Sequence, residues 1–124
     1  MQLVIDEREG VHNQDLKIVN ADRSAAINFL GRLDGRIHTL LVLERSDGSQ
    51  LMVGGGCQHF VVTFYDGKQN FTLRNPVGRD GVMVEVCAGG QYGEYSEVIC
   101  VTRNEAGEAI TLFFDGNENN ANWI

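Results

Sequence analysis

Cys57 and His59 stand one residue apart, directly after three consecutive glycines, in the stretch VGGGCQH from Val53 to His59. A thiol and an imidazole at alternate strand positions share a face. That is the geometry of a nucleophile beside its base, or of two metal ligands that Cys87 and Cys100 could complete to a tetrahedral set. The rest of the chain supplies no signature for either. No CxxC or HxxxH spacing accompanies the pair, and no GxSxG elbow surrounds Ser24, Ser46, Ser49 or Ser96. His12, His38 and His59 each lack the glutamate two residues later that a zinc deaminase requires. The glycines lead neither into Lys and Ser or Thr, as in a phosphate-binding loop, nor into a helix, as in a dinucleotide fold. The expectation is no catalytic residue, no metal and no cofactor, with Gly54, Gly55 and Gly56 marking a bulge or sharp bend between two strands. The alternative is a small metal-binding or thiol enzyme centred on Cys57 and His59.

A second stretch offers binding rather than chemistry. AGGQYGEYSE, Ala88 to Glu97, places Gln91, Tyr92, Glu94, Tyr95 and Glu97 in a glycine-supported connection between two strands. Tyrosine rings supply contact area at low rotamer cost, and acids between them can meet Arg or Lys on a partner. The plainer reading is a loop whose tyrosines lie over the edge of the core.

Seventeen carboxylates against ten Lys and Arg leave a net charge of −7, which repels phosphate backbones and attracts basic surfaces. Direct nucleic-acid binding is disfavoured. Acidity for solubility alone accounts for the charge equally well. Apolar residues make up 43% of a 124-residue chain, enough for one core in one domain. The first residues carry Asp6, Glu7 and Glu9 instead of a basic and then apolar secretory leader, and no apolar run reaches the length of a membrane span. Three widely spaced cysteines favour free thiols over a disulfide framework. Cytoplasmic residence is expected.

The elements that must position these residues follow from periodicity. Met1 to Ile5 reads as a strand and Leu16 to Val19 as a short apolar piece. Ala26, Phe29, Leu30 and Leu33 fall on one helical face, with Asn20 or Asp22 as cap and Asp34-Gly35 as stop. The period then becomes two. Strands are expected at Ile37 to Glu44, Gln50 to Val53, His59 to Tyr65, Gln69 to Leu73 and Val82 to Cys87, joined by turns such as Asp66-Gly67-Lys68. Ser96 to Val101 gives a further apolar run. Asn104 is expected to cap a second helix bearing Ala106, Ala109, Ile110 and Phe113, which Gly116 ends. The sum is an α+β fold, a central antiparallel β-meander of about six strands with two helices packed on one face.

On that frame the C-terminal third, GGQYGEYSEVICVTRNEAGEAITLFFDGNENNANWI, resembles the first-described family of immunity proteins from bacterial polymorphic toxin systems. Gly89, Gly90, Tyr92, Glu94, Tyr95, Phe114, Gly116 and Trp123 match the family's order, and LMVGGGCQHFVVTFYDG is similar to its strand, glycine turn and strand. The likeness spans roughly Ile37 to Trp123. Ser96 and Asn119 depart from it, standing where family members often carry Pro. The resemblance implies a protein that neutralises a cognate toxin, often a deaminase-like domain or a nuclease, by occluding its basic cleft. The expected toxin-binding residues are Gln91, Tyr92, Glu94, Tyr95 and Glu97, with Asp66 secondary. The resemblance leaves the toxin's identity and the oligomeric state open.

Overall fold

The computed structural model describes residues Met1–Ile124. Six strands form one antiparallel sheet in the order β4 (Leu16–Ile18), β1 (Gln2–Ile5), β5 (Leu40–Glu44), β6 (Gln50–Gly56), β7 (His59–Tyr65) and β8 (Asn70–Thr72). Two-stranded ribbons lie outside it, β2 (Arg8–Glu9) with β3 (His12–Asn13) and β9 (Met83–Ala88) with β10 (Gln91–Ser96). The helices are α1 (Arg23–Leu30) and α2 (Arg103–Asp115). No helix is long and apolar enough to cross a membrane.

Alternation decides which face is covered. Register aligns Leu3, Leu43, Leu51, Phe64 and Phe71 in one row and Ile5, Leu41, Val53 and Val62 in the next. All but Phe71, which is partly buried and packs against it, share a single core cluster with Ala26, Phe29 and Leu30 of α1 and Ala106, Ala109, Ile110 and Phe113 of α2. Both helices therefore sit on one face. Leu33, placed on that stripe by spacing, is buried beyond the end of α1.

The helix ends show where periodicity misplaces boundaries. Asp22, one of the two expected caps, accepts from the Ala25 amide at 2.8 Å. The helix stops at Gly31, earlier than Asp34-Gly35, where the Arg32 and Leu33 amides turn to the carbonyls of Phe29 and Leu30 three residues back; Asp34 Oδ1 then gathers the amides of Arg36, Ile37 and His38 at 2.9, 2.9 and 3.1 Å. That turn also delays the next strand from Ile37 to Leu40. At α2 the cap is Thr102, two residues before the expected Asn104. Thr102 Oγ1 accepts from the Glu105 amide while the Glu105 carboxylate accepts from the Thr102 amide, a reciprocal box. Gly116 ends α2 in the left-handed conformation, φ 73°, as expected.

Arg103 couples the helices. Its guanidinium donates to the carbonyls of Leu30 and Leu33, placing a cation on the carboxyl end of α1, and lies 4.8 Å over the Phe60 ring. Trp123 closes the far edge. Ile124 and Thr72 exchange backbone hydrogen bonds, Trp123 Nε1 donates to the Glu118 carbonyl at 2.7 Å, and its ring lies 5.7 Å from Phe64.

Candidate protein-binding surface on the β9–β10 hairpin

The triple glycine is part of the sheet and does not separate two strands as expected. Gly54, Gly55 and Gly56 pair with Val61, Phe60 and His59, so β6 runs three residues past Val53 and the tight turn is Cys57-Gln58. Missing side chains there make room for other backbone. A Cβ on Gly56 would lie 2.1 Å from the Gly35 amide nitrogen, and one on Gly54 would lie 2.6 Å from the Ala88 Cβ. The β9–β10 hairpin is thereby seated on the sheet face opposite the helices.

Cys57 occupies a left-handed position, φ 58°, and its thiol donates to the Asp34 carbonyl at 3.3 Å. Cys100 Sγ donates to the Ser96 carbonyl, and burial pushes the thiols of both Cys87 and Cys100 up. Nowhere do three His, Cys, Asp or Glu side chains gather as metal ligands.

Gln91 to Ser96 is a strand, β10, and not the connection expected from its glycines. Gly89 and Gly90, φ 63° and 77°, form the two-residue turn, a conformation that glycine adopts without Cβ strain. From this turn the register is fixed. Gln91 opposes Ala88, Gly93 opposes Val86 and Tyr95 opposes Val84 on the face toward the sheet, where Tyr95 is half-buried beside Gly93. Tyr92 opposes Cys87, Glu94 opposes Glu85 and Ser96 opposes Met83 on the other face. The expected residues therefore divide. Tyr92, 69% exposed, and Glu94 share a surface; Gln91 and Tyr95 belong to the opposite face.

Beyond Ser96, the last residue of β10, the apolar run to Val101 forms no strand. Ser96 caps a 3₁₀ turn over Glu97–Ile99, and only Val101 bridges back to Phe60. In that turn the Glu97 carboxylate accepts from the Arg79 amide, Nε and Nη2 at 2.9, 3.0 and 3.0 Å, so its acceptors are used within the chain. The Arg79 guanidinium lowers its pKa to about 2. Asp66 lies elsewhere, in the β7–β8 turn at the end of β7 remote from the hairpin, where its Oδ1 accepts from the Lys68 and Gln69 amides.

Two members of the exposed surface escaped sequence reasoning, Glu85 and Met83, the latter 53% exposed. Counting outward from Gly89-Gly90 as a hairpin turn pairs residue 85 with 94 and 83 with 96, so the signal was present.

Behind the turn, a buried polar relay holds the hairpin. Asp6 accepts from the Thr39 and Leu40 amides at 2.6 and 2.9 Å, from the Thr39 hydroxyl and from Arg8 Nε at 2.6 Å. Thr39 Oγ1 in turn accepts from the Gly90 amide at 2.9 Å. Burial alone would push the Asp6 carboxyl up, but the Thr39 hydroxyl, the two amides and Arg8 outweigh it and hold the group below the usual range.

No protein-family model matches the sequence, and no curated protein matches it either.

Proposed function

We propose that the chain is an immunity protein that binds a cognate toxin domain and blocks its substrate cleft, without chemistry of its own. The observation that carries this reading is the exposed hairpin face. Glu85 and Glu94 oppose one another there, flanked by Tyr92 and Met83. Like charges directly across a strand pair are unfavourable in the free protein, and a cation from a partner relieves them. Tyr and Met side chains beside them supply contact area that does not depend on charge.

The net charge of −7 adds long-range attraction to a basic cleft, such as that of a nucleic-acid-acting deaminase or nuclease, and disfavours nucleic acid itself as the ligand. The family resemblance of roughly Ile37 to Trp123 points the same way. The complex is expected in the cytoplasm, with an interface of roughly 1600 Å².

Co-purification with the toxin domain encoded beside its gene tests the reading. The expected result is a stoichiometric complex that Tyr92→Ala or Glu94→Gln weakens, the aromatic truncation by about 2 kcal/mol or more. Equal killing of cells with and without this chain, or full affinity in both variants, contradicts it, the first the function and the second the surface.

A further inference from the structure

A cavity of about 660 Å³ opens between the β5–β6 turn, the β7–β8 turn and the segment after α2. Phe64, Phe71 and Trp123 form its apolar wall, with Phe64 central and ring centroids 6.2 Å from Phe71 and 5.7 Å from Trp123. Asp47, Asp66 and the Arg45–Glu118 pair form its polar side.

The charges on that side are not equivalent. Arg45 donates to both Glu118 oxygens, at 3.2 and 2.6 Å, and to the Phe113 carbonyl, and its guanidinium lies 3.9 Å over the Phe113 ring. That pair is satisfied internally. Asp47 accepts from the Ser49 amide and hydroxyl through Oδ1 alone, and Asp66 from the Lys68 and Gln69 amides through Oδ1 alone. Each turn thus fixes a carboxylate beside the cavity while its Oδ2 is left without a protein donor, and neither Asp is ion-paired.

We infer that this cavity binds the guanidinium of an arginine side chain presented by a partner polypeptide. A flat, weakly hydrated cation stacks on aromatic rings and donates along its edge to carboxylates. Arg45, which lines the cavity, makes that arrangement within the chain, over the buried Phe113 ring behind it and against Glu118. The volume falls in the range of small-ligand sites. The inference goes beyond the toxin reading and does not rest on the hairpin, which is seated at the other end of β7.

Trp123 is the only tryptophan in the chain, so its emission reports on the site directly. The experiment titrates N-acetyl-L-arginine amide into the full chain at low salt, with the neutral isostere N-acetyl-L-citrulline amide as control. A saturable change with the arginine compound alone is expected. Asp47→Asn and Asp66→Asn should each weaken it about two- to fivefold, as for exposed ion pairs. Asparagine keeps the Oδ1 acceptor that both turns use. Glu94→Gln, on the hairpin, should leave the response unchanged, which separates this site from the proposed toxin surface. No saturable change, an equal change with citrulline, or an undiminished response when both aspartates are replaced overturns the proposal.

Discussion

Glu85 and Glu94 face each other across the β9–β10 hairpin, both exposed, with no basic side chain ion-paired to either. The opposition costs the free protein roughly 0.2–1 kcal/mol. Replacing either with Gln should raise the urea midpoint by a corresponding amount while weakening the proposed complex. A variant that loses stability and keeps its affinity would show that the pair serves the fold instead.

Acid should weaken the contact between the β9–β10 hairpin and the loop before it. Glu97 has its carboxyl depressed from 4.5 to about 2 by Arg79, so its contribution is full above pH 4.5 and is lost as the pH falls through 2. Melting temperature measured across that window should fall less steeply in Arg79→Gln than in the native chain. Because Arg79 is largely exposed, added salt should reduce the difference.

Gly54→Ala should destabilise by about 1–3 kcal/mol, because the new methyl meets the Ala88 Cβ at 2.6 Å. Ala88→Gly removes the obstacle. The double variant should therefore lose less than the sum of the single changes, a coupling that denaturation of all four proteins measures. Simple additivity would mean the hairpin is not seated on this glycine.

Trp123→Ala removes a ring against Phe64 and the indole bond to Glu118, and should cost about 2 kcal/mol with a lower melting temperature. Affinity at the hairpin should not change in conditions where the variant is folded. An unaltered melting temperature would contradict the packing role.

Much of the architecture was legible because it rests on periodicity. The i, i+3, i+4, i+7 stripes found Ala26, Phe29 and Leu30 and then Ala106, Ala109, Ile110 and Phe113, and alternation found the meander from Leu40 to Tyr65. Boundaries failed where a side chain competed for the backbone. Asp34 captured three amides that a strand would have used, and Thr102 took the cap from Asn104 through its partner three residues on. The surface around Tyr92 was legible only by residue type. Composition places Gln91, Tyr92, Glu94 and Tyr95 together, while a period of two sends them to opposite faces. Glu97 illustrates a different limit, since nothing in the spacing of Arg79 reveals that the intervening chain brings its guanidinium back to that carboxylate.

The seating of β1 between β4 and β5 sets an order of assembly. Strands β5 to β8 join by short loops, so their ladders form by local closures that cost little chain entropy. Leu3 and Ile5 are made before their partners Leu43 and Leu41, which lie beyond α1. This seam must therefore wait for chain made later, and it is the step expected to pace the folding of the sheet.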